Sequence, residues 1–233
     1  MTRLLPILLA AVFLIGGGAY LLWPSSSSVG PQLGAAQAQT VENVSELGIT
    51  EMTKGDTEAT VKIIEYASYT CPHCKRFHEG PFKELKAEYI DTGKVEFIYR
   101  EVYFDRFGLW ASLVARCGGE MRFFGITDLI YEDQGEWTQG SPEDIAGKLR
   151  RIGMTAGLSE EDLNACFTDA DKAQNLVTWY ETNAANDGIT STPTFMIDGQ
   201  RYSNMGSDVF RRIIDGKLES LGPGFSGGLS PGL

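Results

Sequence analysis

The chain has 233 residues, 42% hydrophobic and 22% charged, which excludes wholesale disorder and suits one domain with a single core plus tails. Its 20 Lys and Arg stand against 31 Asp and Glu, a formal charge of −11 at neutral pH. So acidic a chain has no electrostatic footprint for nucleic acid, and the excess charge mainly favours solubility.

The first forty residues stand apart from the fold. Arg3 supplies a positive start, and Leu4 to Trp23 run apolar without a charge. Ser25 to Ser28 follow, then Ala36-Gln37-Ala38, which fits a small-x-small cleavage site. Residues 1–38 read as a signal peptide cut near Ala38, or as an uncleaved membrane anchor, since about 20 apolar residues span a bilayer. Gly16 to Gly18 and Pro6 weaken the run as a permanent helix, and a cytosolic start is the third alternative. Either main reading puts the folded domain outside the cytoplasm.

Residues 39–54 form a short polar segment with a possible edge strand at Ile49–Thr53. The main domain is expected over residues 55–221. Val61 to Tyr66 is a β-rich run that reads as a mostly buried strand. After a short loop comes Cys71-Pro72-His73-Cys74, and then Phe77, Phe82, Leu85 and Tyr89 recur at helical spacing. The C-x-x-C therefore opens a helix, which Pro81 should kink and Thr92-Gly93 should end. Val95–Tyr99 reads as a second buried strand, completing a βαβ unit.

From about residue 107 to 187 the pattern is helical. Trp110, Leu113, Val114 and Cys117 share one face of a first helix, and a second is expected over Met121–Tyr131. Ser141-Pro142-Glu143-Asp144 and Ser159-Glu160-Glu161-Asp162 carry helix-start signatures. Leu176, Trp179 and Tyr180 mark a last helix, stopped by Asp187-Gly188. Strand character resumes at Thr194–Ile197, and Asp198-Gly199 turns the chain into Gln200–Ser203. Asp208–Leu221 reads as an amphipathic helix with Val209, Ile213 and Leu218 inward. The Gly/Pro/Ser-rich residues 222–233 are expected to be disordered.

A C-x-x-C at a helix start puts its first sulfur where free N–H groups and the helix dipole favour negative charge. Cys71, at the solvent-facing mouth, is then the low-pKa thiolate, and Cys74, one turn inside, the resolving thiol. Stabilising the thiolate favours the reduced pair and makes the disulfide a better oxidant. Pro72 limits backbone freedom there, and His73 can offer the Cys71 sulfur a hydrogen bond or a positive charge. Covalent haem attachment is excluded, because residue 75 is lysine rather than histidine. Zinc binding through Cys71, Cys74 and His78 lacks a fourth ligand, and a purely structural disulfide is the bland alternative. No phosphate loop or metal cluster points to a cofactor. His78 itself reads as a helix-surface residue, and Phe123-Phe124 as core.

The stretch Glu65-Tyr66-Ala67-Ser68-Tyr69-Thr70-Cys71-Pro72-His73-Cys74 resembles the active-site strand and helix start of the DsbA family of periplasmic dithiol oxidases. The likeness covers roughly residues 55–220 and implies an α/β thioredoxin-like fold with a helical insertion. It implies that Pro193, within Ser191-Thr192-Pro193-Thr194-Phe195, is cis and that Thr192 presents its backbone to the substrate. A trans proline opening a strand is the alternative. It also implies that Glu65 lies beneath the disulfide and takes a proton from Cys74, against an outward-pointing strand glutamate. Cys117 and Cys166 are expected to form a second disulfide across the insertion, as in members from alphaproteobacteria, with reduced buried thiols the alternative.

The resemblance implies an enzyme that introduces disulfides into unfolded or reduced exported polypeptides. A quinone-linked membrane protein would reoxidise it. A monomer is expected, because residues 39–54 are too short for the dimerisation segment usual in isomerases of this superfamily. The rivals are a disulfide isomerase or reductase with the same atoms, and a non-catalytic holdase with an inert disulfide.

Overall fold

The computed structural model describes residues 44–221. The expected leader, its expected cleavage site and the tail expected at 222–233 fall on residues 1–43 and 222–233, outside the described residues.

Five strands form one mixed sheet in the order β1–β3–β2–β4–β5. They are β1 (Met52–Lys54), β2 (Val61–Ala67), β3 (Val95–Glu101), β4 (Thr194–Ile197) and β5 (Gln200–Ser203). Only β2 and β3 run parallel, and a parallel pair needs a crossover. Here α1 (Pro72–Glu79), α2 (Pro81–Leu85) and a π-helical turn at Lys86–Ile90 supply it. The topology is the expected α/β thioredoxin-like one, with a helical block between β3 and β4.

One local expectation is shifted along the chain and another fails, each for a clear reason. The edge strand predicted at Ile49–Thr53 instead pairs Met52, Thr53 and Lys54 with β3, while the Thr50 carbonyl accepts from Arg116 Nη1 at 2.8 Å. Pro81 does not kink a continuous helix. The chain breaks at Gly80 (φ −122°, ψ −92°) and Pro81 restarts it at the first helical position, where its missing N–H leaves no bond unmade.

Alternation along β2 sends Val61, Ile63 and Glu65 to one face, with Ile63 beside Phe97 and Ile197, and Glu65 beside Tyr99 and Phe195. Phe77 of α1 packs over this face, its ring centroid 4.7 Å from Phe195 and 5.6 Å from Phe210. On the opposite face Tyr66, Val102 and Met196 form a smaller cluster with Ile64, Tyr180 and Ile189. The Tyr66 hydroxyl there donates to the Asp187 carboxylate at 2.5 Å and accepts from Arg100 at 2.7 Å.

The helical block comprises α3 (Arg106–Cys117), α4 (Gly119–Glu132), α5 (Gln134–Trp137), α6 (Pro142–Thr155), α7 (Glu160–Thr168) and α8 (Ala170–Asn186). Ser141 and Ser159 open α6 and α7 with reciprocal capping boxes to Asp144 and Asp162. A Cβ on Gly153 would meet Leu163 Cδ2 at 2.7 Å, so glycine permits the close approach of α6 to α7. Cys117 and Cys166 are bonded, with Cα atoms 5.9 Å apart, and join α3 to α7. In the β4–β5 hairpin Asp198 and Gly199 take φ of 46° and 78°, as a two-residue type I′ turn requires.

The closing helix α9 (Ser207–Leu221) is rotated from the expected face. Phe210 and Ile214 are its most buried residues, whereas Val209, Ile213 and Leu218 are half-buried along the flanks. Phe210 fills the aromatic nest with Phe77 and Phe195, which centres the buried stripe on positions 210 and 214. Among the described residues no helix is long and apolar enough to cross a membrane.

Candidate active site

Cys71 occupies the N-cap of α1 and Pro72 its first helical position. No side-chain hydrogen bond of ordinary geometry caps this helix, so its leading N–H groups are left to act on the sulfur. The Cys71 thiol is pulled down to about 5 from an ordinary value near 9. The Cys74 thiol, donating to the Cys71 sulfur, is the largest cause; partial burial opposes it, and the Thr192 side chain and the backbone N–H groups of Cys74 and His73 reinforce it. Cys71 is more enclosed than a solvent-facing mouth suggests, at 8% exposure. Cys74 is fully buried, and burial, the bond to Cys71 and the charge of Glu65 push its thiol far up. Both stand as free thiols. One sulfur is thus an anion at neutral pH and its neighbour a proton holder.

Glu65 sits on the central strand with no exposure. Burial raises its carboxyl, His78 draws it down, and the nearby Cys71 raises it. His78, expected on the helix surface, is 3% exposed, and its Nε2 lies 2.8 Å from Glu65 Oε2. The reason is register: position 78 lies four residues after Cys74, on the inward face of α1.

Opposite the pair, the Thr192–Pro193 peptide is cis, and the Thr192 carbonyl lies 3.6 Å from Cys71 Sγ. Thr192 Oγ1 is buried with no hydrogen-bond partner, and the side chain lies where it favours the Cys71 anion. His73 acts differently from expectation. Its backbone N–H favours the thiolate, while its exposed imidazole meets Arg76 Nη2 at Nδ1, 2.7 Å away. A guanidinium can only donate, so Nδ1 is the acceptor.

A family model described as thioredoxin matches residues 48–216, most of the chain. The chain belongs to the thioredoxin family. Among its relatives, a Rickettsia bellii protein provisionally named a protein-disulfide oxidoreductase is 31% identical over 72% of this chain and 65% of that one. Disulfide bond formation protein D of Bacillus subtilis is 24% identical over 71% of this chain and 76% of its own length. The crystal structure of Wolbachia pipientis alpha-DsbA1 superposes with a TM-score of 0.68 at 26% identity, covering 76% of this chain and 97% of that one. This thioredoxin-family chain is therefore DsbA-like. It spans 60–65% of the length of the rickettsial relatives it matches.

Three contributors to this thioredoxin-family site escaped the sequence reading. Gln134, on the unpredicted four-residue α5, donates from Nε2 to the carbonyls of Tyr69 and Cys71 at 2.8 and 3.0 Å. It thereby clamps the loop that presents Cys71, and no local signal marks it. Arg76 likewise carries no signal beyond its charge. His78 did carry one, its spacing from Cys74. Among the described residues no three His, Cys, Asp or Glu side chains converge as metal ligands would.

Proposed function

We propose that this chain catalyses dithiol–disulfide exchange through Cys71 and Cys74, oxidising thiols of unfolded or reduced exported polypeptides. The observation that carries the reading is the pair of opposed thiols: Cys71 lowered to about 5, Cys74 pushed far up. A thiolate that stable is a good leaving group from the mixed disulfide with substrate, and its stability favours the reduced form of the Cys71–Cys74 pair.

In the oxidised enzyme a substrate thiolate attacks Cys71 Sγ, the Cys71–Cys74 bond breaks, and the electron pair leaves on Cys74. Glu65 protonates that sulfur. A second substrate thiolate then attacks the substrate sulfur of the mixed disulfide and expels Cys71 as a thiolate, which needs no proton at neutral pH. The substrate gains a disulfide and the enzyme two electrons. Thr192 and Pro193, beside Cys71, line the path of the bound peptide, whose main chain pairs with theirs. Pro72 holds the helix start, and Cys117–Cys166 secures the helical block behind the site. The reading includes export to the periplasm, action as a monomer, and reoxidation by a membrane quinone-linked partner.

Equilibration of the Cys71–Cys74 pair with glutathione, alongside oxidation of a reduced substrate and refolding of a scrambled one, tests the direction. An oxidising pair that drives the first reaction supports the proposal. Activity on the scrambled substrate alone makes the chain an isomerase, and a Cys71 thiol near its free value makes it a holdase.

A further inference from the structure

Glu65 and His78 form a closed pair with two loose ends. Nε2 of the ring and Oε2 of the carboxyl are 2.8 Å apart, while Glu65 Oε1 and His78 Nδ1 are buried without any partner. Buried polar atoms rarely go unpaired unless a mobile water or a function calls on them. The ring is locked by packing: stacked on Tyr131 at 4.5 Å, tilted against Phe82 at 4.7 Å, and edge-on to Tyr99 at 5.7 Å. His78 also lines a cleft of about 280 Å³ with Glu79, Lys83, Asp128, Tyr131 and Glu132, roomy enough for several waters. One side chain thus touches both the carboxyl buried beneath the cysteines and a polar space that water can fill.

We propose that His78 relays protons between Glu65 and water in this cleft, resetting the carboxyl that protonates Cys74. The inference rests on the exchange chemistry proposed above and concerns how its proton is supplied. When the substrate thiolate breaks the Cys71–Cys74 bond, Cys74 leaves as a thiolate and takes the proton of Glu65, which becomes a carboxylate. His78 then passes its Nε2 proton to Glu65 Oε2 and takes one from cleft water at Nδ1. The ring is left protonated at Nδ1, and the reverse transfers during reoxidation return the starting tautomer. One proton has moved from solvent to the Cys74 sulfur, and no electrons have moved along this route. Reoxidation of the pair runs it backwards.

The groups facing the ring set the direction of transfer. Glu65 approaches from β2 and the Tyr99 ring from β3; Tyr131, Asp128 and Glu132 stand on α4. Lys83 lies on α2, and Cys74 and Glu79 on the ring's own helix. Burial raises the Asp128 carboxyl and His78 lowers it, which places an acid able to exchange protons within the field of the ring. His78 touches neither sulfur nor substrate, so it is a positioning residue acting through Glu65.

The test uses the full chain in its oxidised form and a peptide dithiol as probe, with the exchange rate followed from about pH 5 to about pH 9. In H78Q the amide can still donate to Glu65 Oε2 but cannot pass a proton on. H78Q is expected to exchange about a hundredfold more slowly above neutral pH, at the low end of what general acid catalysis contributes. The deficit should shrink as the pH falls and solvent acid resets Glu65 directly, while the titration of the Cys71 thiolate stays where it is. H78A should recover rate on addition of imidazole, which fits the enlarged cleft, and this variant decides the matter if H78Q does not fold. A folded H78Q that exchanges at the parental rate across the range overturns the relay. So does slow exchange accompanied by a shifted Cys71 titration, or a folded H78A that imidazole does not help. If the parent chain itself fails to exchange, the functional reading falls first, and with it the need for a relay.

Discussion

Holding Cys71 as a thiolate ties the stability of the reduced protein to pH. The folded pKa is about 5 and the ordinary value near 9, so between them the unfolded chain binds a proton that the folded chain does not. Stability from this group therefore rises with pH across the window, is complete above about pH 9, and is lost as pH falls through about 5. The slope approaches about 1.4 kcal/mol per pH unit and is half that at the folded pKa, so the climb from about pH 5 to neutrality would be about 2.3 kcal/mol unscreened. Cys71 lies at the surface end of its helix, where solvent screens part of the field, and about half survives, leaving about 1 to 1.5 kcal/mol. Urea unfolding of the reduced parent and of Cys71→Ser at about pH 5 and about pH 7 measures it. Other groups titrate in both proteins, so the difference between their slopes isolates Cys71. The parent should gain about 1 kcal/mol or more over Cys71→Ser on moving to neutral pH. Equal slopes would refute the claim that the folded protein stabilises this anion.

Thr192→Val keeps the shape of the side chain and removes the hydroxyl beside Cys71. The alkylation profile of Cys71 should move up by about one pH unit, as expected for one lost hydrogen bond to a charged sulfur at a partly screened site. An unmoved profile would show that the hydroxyl contributes nothing. Glu65→Gln removes a buried carboxyl whose raised pKa makes it a cost above the ordinary carboxylate range and not below it. Denaturation at neutral pH should show a gain that disappears in acid, and a loss at neutrality would contradict the sign. Replacing Cys117 and Cys166 together with Ala opens a loop with a sequence separation of 49 residues. Chain entropy predicts a loss of about 4 kcal/mol by urea titration, and a change under about 1 kcal/mol would mean the bond restrains little.

Much of the scaffold was readable because its signals are local. The run Val61–Tyr66, the C-x-x-C and the spacing of Phe77, Phe82 and Leu85 announce strand, turn and helix from neighbouring residues alone. The two serine capping boxes and the Asp198-Gly199 turn lie where their chemistry demands. Misreadings gathered where a distant segment outbid a local preference. Val209 looked inward on α9 until the Phe77–Phe195 nest drew Phe210 in instead. The strand at Ile49–Thr53 shifted because Arg116, 66 residues away, takes the Thr50 carbonyl. His78 looked like a surface residue because its charged neighbours outweighed the one local mark of burial, its spacing of four from Cys74.

Neighbouring residues alone specify that a cysteine pair opens a helix after a buried strand, and hence which sulfur is the acid and which the reserve. That follows from helix geometry, which depends only on adjacent residues. What surrounds those sulfurs is set by the fold. Thr192 reaches Cys71 across 121 residues, Gln134 holds the Cys71 carbonyl across 63, and His78 meets Glu65 from another element. Burial and electrostatic fields depend on distance through space, and for these groups the folding of the sheet, not their order in the chain, sets that distance.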